Sequence, residues 1–162
     1  MLVADIAIDH FVIAITTPDK QMLGRRTVSV DVSRGPDEVV ELMASAFDEL
    51  LEELGIPDAE ALAISVGIPG PVDSRRGVVV RPPLMPGWDG YPVRDRLASR
   101  YQAPVWVDND VNVLTLGEWR AGVATGHDNV VVVKIGTGIG AGIISDGRLH
   151  RGAPLPFLTS AR

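Results

Sequence analysis

Hydrophobic positions along the chain follow first a short and then a longer period. Residues 1–16, MLVADIAIDHFVIAIT, form an apolar run broken by Asp5, Asp9 and His10, and RRTVSVDV at 25–32 alternates. Side chains of a strand point to alternate faces, so the first run predicts one or two strands and the second a third. TPDKQMLG is the turn between them, giving a hairpin or meander. From Gly35 the period lengthens: Val39, Val40, Leu42, Met43, Ala46, Phe47, Leu50, Leu51 and Leu54 fall on one helical stripe. Pro36 and an acidic first turn mark its start and Gly55 its stop. ALAISVG then predicts a buried strand, VRDRLASRY a short helix, APVWVDN a strand and VNVLTLGEWRAG a helix. NVVVVKIGTGIGAGIIS predicts two strands joined across a glycine turn. The order β-β-β-α-β-α-β-α-β-β predicts an α/β fold, a mixed sheet covered by helices. No repeat at a solenoid period and no low-complexity tract occurs. The closing HRGAPLPFLTSAR has two prolines and no periodicity. The hairpin before it is therefore expected to stand uncovered, and because a two-stranded ribbon is marginal alone, whatever covers residues 129–150 is expected to lie outside this sequence.

With 162 residues and 46% hydrophobic content, the chain can bury the core of one domain, or of one domain plus a piece of another. A net charge of -6 and a pI near 5.0 argue against a general nucleic-acid or membrane surface, since neither polyanion is attracted by this field. The absence of cysteine excludes a disulfide framework and a thiolate metal site and fits a reducing cytoplasm, the expected location. Residues 1–16 lack a basic start and carry internal charges, so they fail as a signal peptide. No uncharged stretch approaches the roughly 20 residues that span a bilayer.

Three stretches could carry chemistry. In VDNDVN, Asp110 follows a strand expected to be central, which puts its carboxylate at the carboxyl edge of the sheet, where open α/β folds bind ligands. There it can accept a proton from an attacking hydroxyl, while Asn109 donates and accepts hydrogen bonds to a polyol. The same residues equally suit the N-terminal cap of a helix. In GTGIGAG, Gly136, Gly138, Gly140 and Gly142 would let backbone amides approach a phosphate, and Thr137 would add a hydroxyl; a ligand-free glycine hairpin is the other reading. GIPGPVD ends a strand with Gly67, Pro69, Gly70 and Pro71, a stiff loop that meets a ligand at little ordering cost, or an ordinary turn. Trp88 reads as a lid aromatic or a loop anchor, Glu118 as a solvated or structural acid, and His10, His127 and His150 share no metal-ligand spacing. No metal ligand is assigned.

Taken in order, GIPGPVD, PPLMPGW, VDNDVN, LGE and KIGTGIGAGIISDGRLHRGA strongly resemble the ROK family of bacterial sugar kinases and sugar-responsive transcriptional repressors, from Met1 to about Ala153. The resemblance implies the actin-like, ribonuclease H-like ATPase fold, with sugar and nucleotide in a cleft between two α/β lobes. Residues 1–125 would be the first lobe, 126–153 the glycine-rich beginning of the second and 154–162 an irregular tail. By the same resemblance Asp110 is the catalytic base of a kinase and Asn109 a sugar-hydroxyl ligand. Gly67, Pro69 and Gly70 line the sugar side, and Asp5 with Gly136, Thr137, Gly138 and Gly140 faces nucleotide phosphate.

Three departures shape the expectation. The kinases' Asp-x-Gly-Gly-Thr loop reads DIAIDH here, so Ala7, Ile8 and Asp9 would crowd and repel phosphate; Mg-ATP is expected only if the chain is a kinase. After RGA the family continues with a Glu-x-Gly-His sugar motif and often a cysteine zinc site, whereas this sequence has PLPFLTSAR and lacks both. No helix-turn-helix precedes the domain, although PPLMPGWDGYPV and DNDVN resemble the repressor branch. The expectation is a partial sugar-sensing effector domain of a ROK transcriptional regulator that binds a sugar and touches DNA only through a helix-turn-helix module of a longer parent. An ATP-dependent sugar kinase and a non-functional remnant are the alternatives. Homo-oligomerisation through the 129–150 hairpin is expected, and membrane association is not.

Overall fold

The structure, a computed structural model, describes residues 1–57 and 61–152; the expected irregular tail at 154–162 lies outside the described residues. Strands β1 (Leu2–Ile6), β2 (His10–Thr16) and β3 (Met22–Ser29) form an antiparallel meander. The third strand begins at Met22, earlier than the alternation of 25–32 implied, because the β2–β3 pairing carries on past a bulge between Ile15 and Thr16. Leu2, Ala4 and Ile6 of β1 and Phe11, Ile13 and Ile15 of β2 are buried on one face.

Onto that face packs α1 (Pro36–Glu53), which starts with proline in its first turn and buries Val39, Val40, Met43, Phe47, Leu50 and Leu51. Leu42 and Leu54 of the expected stripe are instead partly exposed. Strand β4 (Ile64–Ile68) runs parallel to β1, and β7 (Val105–Asn109) parallel to β4, giving the sheet order β3-β2-β1-β4-β7. Between β4 and β7 the chain makes a short ribbon, β5 (Val72–Asp73) with β6 (Val78–Val79), and then α2 (Val93–Tyr101). The proline and glycine of GIPGPVD concealed that ribbon in the sequence. Arg94 of α2 holds it, donating from Nε to Val105 O at 3.1 Å, from a guanidinium nitrogen to Ser74 O at 2.5 Å, and to Arg75 O.

Helices α1 and α2 meet through the edge of Tyr101 on Phe47, with ring centroids 6.4 Å apart. The Tyr101 hydroxyl donates to Ala44 O at 2.9 Å, and burial together with the Asp48 carboxylate 2.7 Å away holds its phenol well above the ordinary range. Trp88 is fully buried and donates Nε1–H to Val32 O at 3.0 Å, so it anchors its loop and is no lid.

Helix α3 (Asp110–Ala121) lies against the opposite face of the sheet and carries on its other side a second sheet of β8 (Val130–Ile135), β9 (Ile139–Ser145) and β10 (Arg148–His150), ordered β10-β9-β8. The expected two-stranded ribbon is thus three-stranded, with Leu149 set opposite Ile144. Close packing explains half of the glycine run. A Cβ on Gly140 would stand 2.6 Å from Val111 Cγ2, and one on Gly142 2.9 Å from the backbone oxygen of Val111 and on top of Thr115, so only glycine lets β9 lie this near α3.

Candidate functional site

The three polar residues that end β7 and start α3 are each fixed by a different partner. Asn109 is the N-cap of α3 in extended backbone, its Oδ1 accepting from Val111 N at 3.0 Å and Asn112 N at 3.3 Å. Its Nδ2 donates to Gly70 O at 2.8 Å, tying the loop after β4 to the end of β7. Gly70 takes a φ of 117°, a conformation that favours glycine. Capping is therefore realised, and the capping residue also lines a cavity.

Asp108, buried, accepts from Asn109 N at 2.8 Å and Asn112 Nδ2 at 2.9 Å on one oxygen, and from Arg151 Nε at 2.7 Å on the other. Asp110, also buried, accepts from Lys134 Nζ at 2.6 Å. The same ammonium stands 3.8 Å from Asp5 Oδ2. Asp5 reaches this group because its neighbour in β4 is Gly67: a Cβ there would lie 3.0 Å from Asp5 Oδ1 and 3.4 Å from Asp110 Cα. Gly67 thus acts behind the acids, by leaving them room.

Charge follows from this geometry. Partial desolvation pushes the Asp5 carboxyl, whose side chain is still 53% exposed, above the ordinary aspartate value, with Lys134 opposing the rise and the negative Asp110 adding to it. Burial disfavours the Lys134 ammonium, but the Asp110 hydrogen bond and the charges of Asp5 and Asp110 prevail and raise its pKa.

A cavity of about 270 Å³ opens between the two sheets. Its walls are Asn109, Asp110 and Val111, then Pro69 and Gly70 of the loop after β4, Ala7 and Ile8 of the β1–β2 turn, and Lys134 with residues 136–140. Of the expected sugar-side and phosphate-side residues, all but Gly67 and Asp5 line the cavity, and these two adjoin it at Asp110 and Lys134. Gly136 and Gly138 differ from Gly140. Neither has a positive φ, and nothing lies within 4 Å of an added Cβ at either, so no contact inside the described residues requires glycine there. In the β1–β2 turn the Ala7 amide donates to His10 O at 2.8 Å, and the Asp9 carboxylate accepts from His10 Nδ1 at 2.7 Å, a bond that holds Asp9 below its usual pKa. Among the described residues no group of three or more His, Cys, Asp or Glu could hold a metal ion. Glu118 is structural, accepting from Val123 N at 3.1 Å.

Lys134, Asp108 and Arg151 were not singled out in the sequence. Lys134 left one signal, a lone cation inside the apolar run VVVVKI.

The family model for the ROK family matches residues 2–154. A glucokinase of Thermotoga maritima is 32% identical over 142 residues, 88% of this chain and 43% of that protein. A putative xylose repressor of Caldicellulosiruptor sp. is 26% identical over 149 residues, 92% of this chain and 37% of the repressor. Among solved structures, a ROK family glucokinase from Streptomyces griseus in complex with glucose and AMPPNP superposes with a TM-score of 0.81 at 29% identity, over 94% of this chain and 47% of its own. The chain thus spans less than half the length of these relatives. Its mixed sheet with flanking helices is the actin-like, ribonuclease H-like fold of ROK proteins, and with the family pattern matched from residue 2 to residue 154 the chain belongs to the ROK family.

Proposed function

We propose that the cleft binds a sugar or sugar derivative without phosphorylating it, as part of the effector domain of a sugar-responsive transcriptional regulator. The first lobe in this reading is residues 1–125, and 126–153 begin the second. The observation that carries it is the β1–β2 turn. A loop that cradles nucleotide phosphate offers bare backbone and free amides. Here Ala7 and Ile8, which carry side chains where glycine would leave bare backbone, line the cavity, the Ala7 amide is bonded to His10 O, and Asp9 adds a negative charge. This turn counts against Mg-ATP binding here. A sugar fits better: the Asp110 carboxylate can accept hydrogen bonds from hydroxyls, Asn109 Nδ2 retains a second hydrogen beyond the one given to Gly70, and Val111, Ile8 and Leu84 supply apolar wall. In a longer parent, sugar would shift an equilibrium between two cleft states and so alter DNA binding by an attached module, by no more than its differential affinity for those states.

A kinase is the second reading, favoured by the bare Gly136–Gly138 turn beside Asp110. There Asp110 would take the proton of the attacking sugar hydroxyl, and bound Mg-ATP would supply the transferable phosphoryl group.

A coupled assay over a panel of hexoses and pentoses, alongside calorimetric sugar titration, separates the two. Binding without turnover is expected; ATP-dependent turnover that disappears in Asp110→Asn would overturn the non-catalytic reading.

A further inference from the structure

Two carboxylates and one ammonium from three separate elements converge at the floor of the cleft. Asp5 comes from β1, Asp110 from the first turn of α3 and Lys134 from β8 of the second sheet, with Nζ 2.6 Å from Asp110 Oδ2 and 3.8 Å from Asp5 Oδ2. The convergence is built in. Gly67, the β4 residue between the acids, has no side chain to part them, and Gly140 lets β9, and β8 paired with it, lie close enough to α3 for the lysine to reach. Lys134 is the sole ionisable residue of β8 and β9, and its strand neighbours on the same face, Val130 and Val132, are apolar.

We propose that Lys134 is the resident cation of this cleft, occupying the position a divalent metal ion would otherwise take between Asp5 and Asp110, so that ligand binding here is independent of divalent metal. Small hard cations such as Mg2+ and Mn2+ are held through one or two carboxylates with the rest of the shell made by water or ligand oxygens, and Asp5 and Asp110 offer that pair of oxygens. An ammonium already in hydrogen-bond contact with one acid and near the other competes for the same oxygens and repels a second cation. It also delivers its single charge on a fixed strand, with none of the open coordination positions through which a metal bridges to phosphate.

The inference deepens the assignment of this cleft to a non-phosphorylating role, but its test reads cation binding and involves no sugar. Mn2+ is titrated into the isotopically labelled full chain, and paramagnetic loss of the amide signals of Gly67, Val111 and Ile135 is followed. In the wild type and in Lys134→Arg these signals should persist at Mn2+ concentrations about tenfold above those that erase them in Lys134→Met. Adding Asp110→Asn to Lys134→Met should restore them. Wild-type protein that loses these signals as readily as Lys134→Met overturns the proposal, and so does a folded Lys134→Met that keeps them. Should Lys134→Met lose its native circular dichroism, Lys134→Gln serves in its place, and the wild-type titration can still overturn the idea alone. A chain that binds no sugar would count against the functional reading and leave this titration untouched.

Discussion

Asn109 makes two separate structural ties at the edge of the cavity. Its oxygen caps α3 and its amide nitrogen ties down Gly70, so the two functions can be separated by substitution. Asn109→Ala should cost about 1–2 kcal/mol in urea unfolding, the usual loss for an N-cap with a further hydrogen bond attached, whereas Asn109→Ser keeps a cap and should recover about half. Equal losses in both would mean that the Gly70 tie, and not the cap, holds this corner. Asp5 gives a second test, in pH. Its folded-state carboxyl is raised, chiefly by burial, so the native chain binds that proton more tightly than the unfolded chain. Stability contributed by this group is therefore greatest at acid pH and falls as pH rises from the ordinary aspartate value through the raised one. Asp5→Asn removes the step: it should melt higher than the wild type at neutral pH, with the difference vanishing below the ordinary aspartate value. A difference constant across that range would remove the electrostatic explanation. Asp110 and Asn109 were legible in the sequence because a polar pair at a strand end is a local signal. Lys134 and Arg151 were not, because their partners lie 24 and 43 residues away and only the tertiary fold joins them.

Among the elements, hydrophobic period identified α1, α2, β4 and β7, each of which buries a face whose spacing is visible along the chain, whereas α3 buries only Asp110, Val111 and Thr115 and β8 is half-buried on one face. What it could not show was the β5–β6 ribbon and β10, elements of two or three residues too short to display a period and held by pairing and by Arg94. The glycine run was legible as a turn but not as two different devices. Gly142 is demanded by the contact of β9 with α3, while Gly136 and Gly138 are demanded by nothing among the described residues. Gly142→Ala should accordingly destabilise by about 1–3 kcal/mol, the usual range for overpacking against backbone, read as a lower denaturant midpoint at unchanged slope. Gly138→Ala should leave the midpoint within about 0.5 kcal/mol, as for a surface substitution, and any sugar or anion affinity it loses then reports direct approach of a ligand to the turn. If Gly138→Ala destabilises as much as Gly142→Ala, the turn is glycine-rich for a folding reason.

At the scale of the whole molecule, the described residues cover the second sheet on one face, with α3. Register sets Val131 opposite Ile143, Val133 opposite Ala141 and Ile135 opposite Ile139, and these six side chains share the face turned away from α3. Ile139 is 81% exposed, Ile135 79%, Val131 63% and Val133 53%, an apolar surface uninterrupted by charge, since Lys134, the one ionisable residue of β8 and β9, lies on the opposite face. The sequence pattern made this visible as strands too apolar for solvent, and α3 covers their inner face, which the sequence pattern did not show. Fully burying one such side chain stabilises by about 1.5–3 kcal/mol, against about 4–15 kcal/mol lost when two bodies become one, so the matching faces of two copies can hold a dimer together. The open edge of β8 adds backbone groups for the same contact. We therefore propose that the 162-residue chain self-associates through this hairpin. Multi-angle light scattering should show a mass that rises with concentration toward the dimer. Val131→Lys combined with Val133→Lys should return it to the monomer with unchanged circular dichroism, because both positions are exposed on the face turned away from α3 and neither lines the cavity. A wild-type chain that stays monomeric at about 100 μM, where even a micromolar dimer would be saturated, sinks the proposal.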